Sequence, residues 1–525
     1  MRPLPHLPFT TVDDLASWDN FHHTVVGRHV PALLTPGGAA PPPTVSMASA
    51  QAQAINAILS YCLADPPEPL CILGSMWSLS DILDPANVVM DPGTWNQIAA
   101  VDEDWLDDAY KNTRVAGRVP IVAQGGTTIR TLNNWLGNYG LALQTSGASD
   151  GHRIAGCIAT GTHGSHVKVG AVHDTVLGMY LVTGPNQAVL LQPAVRRFTP
   201  DLANWFQDET GLTTQDLADD DLFNAARVAL GGLGFVHSII VEAEPLYQVS
   251  GQDVARSLAD PVIWNALQTL DTTALYPVPN PDFFSIIFSP YAGGAADGAI
   301  ATLLWKRKAN TPFVPSPPVP ASISTDLSRL LSALIPAIDG GLGGDILSAV
   351  VTKETSSQYP PGPIQATFPG TYFGPTNLPE GNGRSSEIVV DHQNAVAAVK
   401  LVLATLQQEA AQGRHLAGAV GVRNVPGTSA LLGPNLHPMN TYIEFPSLAT
   451  ADVTGVQNAI WAALAAAGIP FTCHWGQEYG MDANSIRGYF GNRIDAWKAA
   501  RQRLLPTPAA RAVFSNALLR KMNLV

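Results

Sequence analysis

Charged residues are scarce in this chain of 525 residues, since they make up 14% of the sequence while 46% is hydrophobic. This composition excludes a disordered chain or a coiled coil and fits one large or two medium globular domains. Basic residues are fewer still, because 29 Lys and Arg stand against 42 Asp and Glu, and the formal net charge is −13. A chain of this charge repels a phosphate backbone, so nucleic acid is not an expected partner.

Cysteine is rare as well. The sequence contains four, at apolar positions without paired spacing: Cys62, Cys71, Cys157 and Cys473. This pattern excludes a disulfide framework and predicts reduced thiols in the core, no metal site and a reducing compartment. The sequence also lacks a run of about 18 apolar residues and the apolar segment of a signal peptide. We therefore expect a cytoplasmic protein with no membrane span; the sequence does not determine its oligomeric state.

The nearest approach to a membrane segment is residues 331–351, which Pro336, Asp339 and Asp345 interrupt. These residues break both the apolar run and a continuous helix. We interpret the segment as a surface insertion, and the alternative is a mobile cover over an active site.

Glycine and proline are abundant, with 46 and 42 residues, and predict short elements joined by tight turns. In the first half of the chain, strands and helices alternate. The patterns predict a helix over 45–64, strands over 69–74 and 87–91, and a helix closed by Gly140. The acidic stretch from Asp201 to Asp221 is interpreted as a surface segment.

The second half of the chain, after about residue 245, predicts an α+β unit of a different kind. Strands over 283–291 and 299–307 are expected to form an antiparallel pair, and 310–325 is a proline-rich connector. Two blocks, 386–425 and 440–475, each read as strand, helix and strand. Together they predict a cap built on one antiparallel sheet.

Glycine-rich turns carry the first functional signal. No G-x-G-x-x-G segment follows a strand and opens a helix, because GGLGF at 231–235 follows a helix and precedes a strand. Two other turns, 72–81 and 146–170, expose consecutive backbone N–H groups that can bind a pyrophosphate. Two such turns indicate a large phosphate-bearing cofactor.

The order of these segments resembles the PCMH-type FAD-binding domain of the vanillyl-alcohol oxidase superfamily, nearest its aldonolactone and alditol oxidase branch. The resemblance covers most of 20–250 and returns at 420–520, in TCHWGQ and VFSNALLRKMNL. It implies an α+β fold of two domains: a PCMH-type FAD-binding domain over 1–245 and a substrate-binding cap domain with an antiparallel sheet over 246–480. Helices over 481–525 are expected to return to the first domain. The segments that carry the first part of the resemblance are PLCILGSMWSLSDI, VPIVAQGGTTIRTLNNWLGNYGLAL, TSGASDGHRIAGCIATGTHGS and LFNAARVALGGLGFVHSIIVEAEPLY.

The resemblance also implies which residues contact FAD. The alternative for any of these glycines is a turn without a ligand, and for Gly231 and Gly232 that alternative is preferred. The implied cofactor residues are Gly74, Ser75, Met76, Trp77, Ser78, Gly147, Ala148, Gly156, Thr160, Gly161, Thr162, His163 and Val236.

One position departs from the family. Many relatives carry a histidine in the first turn that bonds covalently to the flavin, and the match places Trp77 there. Indole has no comparable nucleophilic nitrogen, so we predict non-covalent FAD, and the alternative is a link from another residue.

His163 and His166 have H-x-x-H spacing, but no further ligands lie nearby in the sequence, so a metal is not expected. Cys157 is interpreted as a small buried residue.

The cap strands supply the candidates for catalysis. Period two places Gly421 and Arg423 on one face of their strand, and Tyr442 and Glu444 on one face of theirs. The alditol oxidases use a Glu-x-Arg pair, a strand histidine and a lysine after His-Trp-Gly.

This chain keeps that pattern only in part. It has Gly421 in place of the glutamate, Glu444 in place of the histidine and Gln477 in place of the lysine. The change removes polar anchors for a polyhydroxylated chain and predicts a less sugar-like substrate. The alternatives are a solvated strand residue for Glu444, a surface ion pair for Arg423 and a core histidine for His474.

The sequence thus predicts an FAD-dependent oxidase that takes hydride from an alcohol, hemiacetal or lactone carbon, with O2 as acceptor and H2O2 as product. Arg423 is expected to polarise the substrate oxygen, Glu444 or His474 to accept its proton, and Gln477 to bond flavin or substrate. Gly147 corresponds to the family position that controls oxygen access, which favours an oxidase; the alternative is a turn glycine with positive φ. A dehydrogenase with another acceptor, or a flavin-binding protein with a decayed cap site, are the alternative functions.

Overall fold

The structure is a computed structural model that describes residues 2–83, 86–316, 336, 339, 344–374, 381 and 383–525. The strands are β1 Thr10–Trp18, β2 Arg28–Pro36, β3 Leu70–Ile72, β4 Val88–Met90, β5 Ile98–Ala100, β6 Val119–Gln124, β7 Leu141–Leu143, β8 Val176–Gly184, β9 Gln187–Gln192, β10 Thr213–Ala218, β11 Phe235–Pro245, β12 Tyr247–Arg256, β13 Phe283–Phe288, β14 Ala299–Lys308, β15 Gly362–Thr367, β16 Gly383–Asp391, β17 Val420–Pro426, β18 Met439–Leu448 and β19 Thr472–Cys473.

Helices connect and flank these strands, and several begin at a capping side chain. Ser46 accepts a hydrogen bond from the N–H of Ser49, and Thr128 caps the helix that is followed by the predicted Gly140, whose φ is 70°. The α-helices are α1 Met47–Leu63, α2 Asp108–Thr113, α3 Ile129–Asn138, α4 Ile154–Thr160, α5 Pro200–Thr210, α6 Asp220–Arg227, α7 Pro261–Thr269, α8 Gly344–Gln358, α9 Pro369–Tyr372, α10 Ala395–Ala411, α11 Val453–Ala466, α12 Ala483–Phe490, α13 Asn492–Leu504, α14 Pro508–Val513 and α15 Ala517–Lys521.

Two sheets form the first half of the chain. A four-stranded sheet has the order β1-β2-β4-β3, and a seven-stranded sheet has the order β10-β9-β8-β11-β6-β5 with β7 beside β11. The acidic stretch 201–221 is not merely a surface segment, as the sequence suggested. It forms most of α5 and then β10, which pairs in parallel with β9.

One antiparallel sheet of eight strands forms the second half, in the order β15-β12-β14-β13-β17-β18-β16-β19. The predicted antiparallel pair is confirmed as β13 and β14. The two predicted strand–helix–strand blocks are β16-α10-β17 and β18-α11-β19, and all four of these strands lie in this sheet. The α+β fold class is therefore confirmed, while the exact domain boundaries stay a prediction.

The C-terminal helices pack against the first half of the chain. The Arg501 guanidinium donates to the carbonyl of Gly232, and the Asn516 amide donates to the carbonyl of Leu230. A Cβ at Gly232 would lie 2.9 Å from the Trp497 ring, so this glycine serves close packing. The largest cluster of buried side chains is continuous from α1 through the seven-stranded sheet to α10 and α11.

Two predictions from the sequence concern cysteine pairing and membrane-spanning helices. All four cysteines are unpaired and buried. Among the helices that the structure describes, none combines the length and the hydropathy needed to cross a membrane.

Candidate active site

One cavity of about 680 Å³ lies between the glycine-rich turns of the first half and the eight-stranded sheet. This volume is within the range of about 300–1,000 Å³ usual for ligand pockets. Every predicted cofactor residue except Gly161 lines it, and so do the four predicted catalytic residues. Gly161 instead ends α4 with a φ of 81°.

The first glycine-rich turn offers backbone donors to the cavity. Within the described residues, the N–H groups of Ser75 to Ser78 donate to no other part of the chain. Met76 has a φ of 61°, and a left-handed residue in such a turn directs neighbouring N–H groups to one side. The Ser75 hydroxyl donates to the carbonyl of Gly151 at 2.8 Å and accepts from the N–H of Arg153 at 2.9 Å. These bonds fasten the first turn to the second.

The second glycine-rich segment is not a continuous turn, because α4 occupies 154–160 within it. Gly74 and Gly156 meet where the two segments approach each other. A Cβ built on Gly74 would have only the Cα of Gly156 within 4 Å, and a Cβ built on Gly156 only the Cα of Gly74, each at 3.8 Å. The Oγ of Ser149, which also lines the cavity, is buried and has no hydrogen-bond partner among the described residues. Free N–H groups, an open glycine pair and an unpaired hydroxyl fit a phosphate-bearing cofactor such as FAD.

Gly147 is not a turn glycine with positive φ, so that alternative is wrong. A Cβ at Gly147 would lie 2.8 Å from Cγ2 of Thr162, a side-chain methyl group. The absence of a side chain at Gly147 therefore serves close packing beside the cavity.

Trp77 lies in an aromatic group at the wall of the cavity. Its ring stacks on Phe21, with centroids 4.7 Å apart, and meets the His152 ring edge-on at 4.7 Å. His22 and His152 also line the cavity. The sequence did not single out His22 as a neighbour of the first turn, and burial lowers its pKa to about 4.

The cap residues are brought together by strand register. On β16, β18 and β17, the residues Glu387, Glu444 and Gly421 are direct cross-strand neighbours, and Tyr442 pairs with Arg423 in the adjacent row. The predicted faces are thus confirmed, because directly opposed residues point to the same side of a sheet.

Arg423 is held between two carboxylates. One guanidinium nitrogen, Nη1, lies 2.7 Å from Glu444 Oε2 and 3.3 Å from Glu387 Oε1. Its side chain is only 19% exposed, so it is not a surface ion pair. Burial acts to lower the pKa of Arg423, but the two carboxylates raise it further. Arg423 is therefore a permanent cation facing the cavity.

The second oxygen of Glu444 is also bonded. Its Oε1 accepts from the Gln477 amide at 3.1 Å and from the Ser385 hydroxyl at 3.3 Å. The amide oxygen of Gln477 is buried and has no hydrogen-bond partner among the described residues. Glu444 is therefore an oriented carboxylate, and Gln477 leaves one acceptor for a ligand.

Glu387 is the functional candidate that the sequence reasoning missed. Its Oε2 lies 3.0 Å from Nε2 of His163, and both side chains are almost completely buried. Burial acts to raise the pKa of Glu387, but His163 and Arg423 together lower it to about 2. An isolated acid inside the apolar strand SSEIVV was the available signal, since a buried acid needs a partner.

The ring of His163 connects the two halves of the site. It stacks on Tyr442, with centroids 3.6 Å apart, and its Nδ1 lies 3.0 Å from the carbonyl oxygen of Gly164. A carbonyl only accepts, so Nδ1 carries a proton. A hydrogen bond between Nε2 and Glu387 then needs a second proton, which the two groups share.

His474 is the neutral member of the group. Its Nδ1 accepts from the N–H of Gly476 at 3.1 Å, so Nε2 carries the proton. Burial lowers its pKa to about 4. In this tautomer His474 donates to a ligand, which favours Glu444 as the proton acceptor.

His163, Glu387 and His474 have potential metal-ligating atoms within 4.8 Å of one another. The hydrogen bonds oppose a metal ion there, because His474 would have to lose its Nε2 proton while Nδ1 accepts from a backbone N–H. His166 does not join the group. Its Nδ1 accepts from the N–H of Lys168, and its ring packs against Phe283.

Two further features of the cavity concern its walls. Cys157 is buried in α4, and burial raises the pKa of its thiol to about 12, in line with a structural role. Leu347, Val350 and Val351 of α8 line the cavity. The described part of the segment 331–351 therefore belongs to the site and is not a plain surface insertion, whereas most of 331–343 lies outside the described residues.

Comparison with known proteins agrees with this architecture. Residues 43–190 match the family described as "FAD binding domain". The L-gulono-1,4-lactone dehydrogenase of Mycobacterium tuberculosis is 27% identical over 175 residues, which are 33% of this chain and 33% of that protein. The L-gulonolactone oxidase of Scyliorhinus torazame is 24% identical over 189 residues, 36% of this chain and 35% of that protein. The matched stretch thus spans about a third of the length of these curated relatives.

Among solved structures, the fold is similar over the whole chain. The cholesterol oxidase of B. sterolicum superposes with a TM-score of 0.65 at 12% identity, covering 99% of this chain and 100% of that one. At this identity the likeness concerns the fold alone.

Proposed function

We propose that this chain, whose residues 43–190 match an FAD binding domain, is an FAD-dependent oxidoreductase that oxidises the carbinol group of a small molecule. The observation that carries the proposal is the cation Arg423, held between Glu387 and Glu444 in the cavity that the FAD-binding turns line. When bound, FAD supplies a two-electron acceptor that takes a hydride from a substrate carbon.

The residues of the chain handle the oxygen and the proton of the substrate. As the C–H bond is lost, the O–H proton must leave so that the carbon–oxygen bond becomes a carbonyl. Arg423 stabilises the negative charge that develops on this oxygen, and the Nε2–H of His474 donates to it. Glu444 accepts the proton, since His474 already carries one on the nitrogen available to a ligand.

The final electron acceptor decides between two forms of the proposal. The relatives include proteins named as an oxidase and as a dehydrogenase of gulonolactone. We favour O2, with H2O2 as the product, because Gly147 presents no side chain beside the cavity. A lactone, hemiacetal or alcohol each carries the hydroxylated carbon that the site requires.

The test is anaerobic reduction of the bound flavin, followed by its absorbance. Replacing Arg423 with Ala should leave FAD bound but slow reduction by roughly 10²-fold or more, the scale of losing a buried charge-stabilising group. The Arg423→Lys variant retains the charge without the planar guanidinium, so its flavin reduction should be slowed less. The matched control is Arg487→Ala, at an exposed ion pair with Asp495, and its flavin should be reduced at the rate of the wild type.

Two results would contradict the proposal or one form of it. If Arg423→Ala and Glu444→Gln both reduce at the rate of the wild type, the active site lies elsewhere. If reduction is fast but reoxidation by O2 releases no H2O2, the dehydrogenase form replaces the oxidase form.

A further inference from the structure

The cavity has a second region that the proposed chemistry does not use. We call it the apolar arm. Its side chains come from α8, from β13, from the loop before β17 and from the end of β18. They are Ile287, Leu347, Val350, Val351, Ala417, Ala419 and Leu448.

The apolar arm adjoins the charged end of the cavity at Gly421. A Cβ at this glycine would lie 3.6 Å from Cδ1 of Ile287 and 3.8 Å from the guanidinium nitrogens of Arg423. These are ordinary contact distances, so a side chain would fit the space that Gly421 leaves open. The arm therefore begins directly beside the cation that the proposal assigns to the substrate oxygen.

Two hydroxyl groups beside the arm already donate to the chain itself. The Thr355 hydroxyl donates to the carbonyl of Val351 at 2.8 Å. The Ser447 hydroxyl donates to the carbonyl of Leu448 at 2.9 Å and accepts from the N–H of Ala417 at 3.0 Å. A ligand hydroxyl placed against the hydrocarbon side chains would lose its bonds to water and find no partner among them, whereas a hydrocarbon would lose no hydrogen bonds.

The wall of the arm is a fixed part of the fold. The hydroxyls of Ser289 and Thr352 lie 3.0 Å apart and connect the end of β13 to α8. A Cβ at Gly418 would lie 1.9 Å from the carbonyl oxygen of Pro446, so the loop before β17 is pressed against β18. The arm is thus bounded by elements whose contacts are specific.

From these observations we propose the substrate class: an alcohol carried on an apolar, hydrocarbon body, which fills the apolar arm while its hydroxyl group lies against Arg423 and Glu444. The inference rests on the proposed function for the role of the hydroxyl group. It departs from the lactones in the names of the relatives, because the arm presents mainly hydrocarbon side chains to its occupant.

The test compares molecules of equal chain length and opposite polarity. 1-Hexanol and D-sorbitol both have six carbons, and binding to the holoenzyme is followed by the change in flavin absorbance under anaerobic conditions. 1-Hexanol should bind at least about tenfold more tightly than sorbitol, since each unpaired hydroxyl costs roughly that factor. From 1-hexanol to longer 1-alkanols, affinity should rise by up to about fourfold per methylene until the arm is full.

Substitutions on one helix locate the effect. In the variant Val350→Thr/Val351→Thr, two methyl groups become hydroxyls of nearly the same shape, and affinity for 1-hexanol should fall about tenfold. Ile346→Thr makes the same kind of change at an exposed position of α8 and should have no effect. Retained flavin content and an unchanged Tm show that the double variant is folded.

The outcomes separate this inference from the proposed function. Equal or tighter binding of sorbitol, no binding of any alkanol, or an unchanged alkanol affinity in the double variant each overturn the apolar substrate class. Alkanols that bind in the predicted order but never reduce the flavin support the arm and contradict the proposed oxidation. Reduction by sorbitol alone supports the oxidation and overturns the substrate class.

Discussion

His163 and Glu387, 224 residues apart in the sequence, share one buried hydrogen bond of 3.0 Å. Because Nδ1 of His163 donates to the carbonyl of Gly164, the bond from Nε2 to Glu387 holds a second proton between the two groups. With Arg423 and Glu444, the pair makes one connected group of ionisable side chains at the centre of the site. Each carboxyl group of this group has a hydrogen-bonding or cationic partner, which allows Glu387 to be buried.

The first prediction concerns this group. Glu387→Ala should lower the free energy of unfolding by about 3–5 kcal/mol, because it removes the buried carboxyl group that His163 and Arg423 share. Chemical denaturation measures the change. Asp495→Asn removes one carboxylate from an exposed ion pair with Arg487 and should change stability little, since water and salt screen that pair. An effect of Glu387→Ala no larger than that of Asp495→Asn would refute this role of Glu387.

The second prediction concerns the attachment of FAD. The purified protein should be yellow, and acid or heat should release all of its FAD, because the Trp77 indole cannot form the histidyl bond. Flavin fluorescence on a denaturing gel provides the measurement. His22 and His152 also line the cavity, so fluorescence that stays with the wild-type band and disappears in His22→Ala or His152→Ala would contradict the prediction and identify the linking residue.

The third prediction concerns oxygen. Gly147→Ala should keep its FAD and its rate of reduction but reoxidise much more slowly than the wild type, as followed by stopped-flow absorbance with peroxide detection. The added methyl group lies 2.8 Å from Cγ2 of Thr162, so the double variant with Thr162→Ser, which removes that methyl group, separates a packing effect from an oxygen effect. Recovery of fast reoxidation in the double variant would assign the loss to displaced packing and not to Gly147 as an oxygen entry point.

The fourth prediction is a loss of stability in mild acid. Burial lowers the pKa of five histidines from 6.5 to about 3 or 4; these are His22, His166, His173, His237 and His474. Below pH 6.5 the unfolded chain therefore binds more protons than the folded chain, and the free energy of unfolding falls as the pH decreases toward 4. Glu387 adds nothing in this window, because its contribution is lost only between pH 4.5 and about 2.

Thermal unfolding between pH 7.5 and 5 tests this prediction. The Tm should fall as the pH is lowered, and His237→Gln should reduce the slope. His237 is a suitable probe because it lies on β11, outside the lining of the cavity, and its Nε2 has no hydrogen-bond partner in the described part of the chain. A Tm that is constant from pH 7.5 to 5 would contradict the prediction.

Local patterns in the sequence determined most of the elements and several of the site residues. The apolar periodicity predicted α1 and α3, and alternation placed Arg423 and Glu444 on the inner faces of their strands. Both results depend only on neighbouring residues along the chain, where the geometry of a helix or strand fixes the direction of each side chain. The segment 201–221 was interpreted only as a surface segment, because its acidic composition concealed a strand that is stabilised by pairing with β9.

The composition of the active site was decided by tertiary structure. Glu387 became a member because the register of β16 against β18 sets it directly beside Glu444, and His163 arrives from a distant segment of the first half. Register and docking depend on hydrogen bonds between segments far apart in the sequence, and no local pattern encodes these distances. For the same reason, the apolar arm exists only after α8 has docked beside β13, although each of its residues was visible in the sequence.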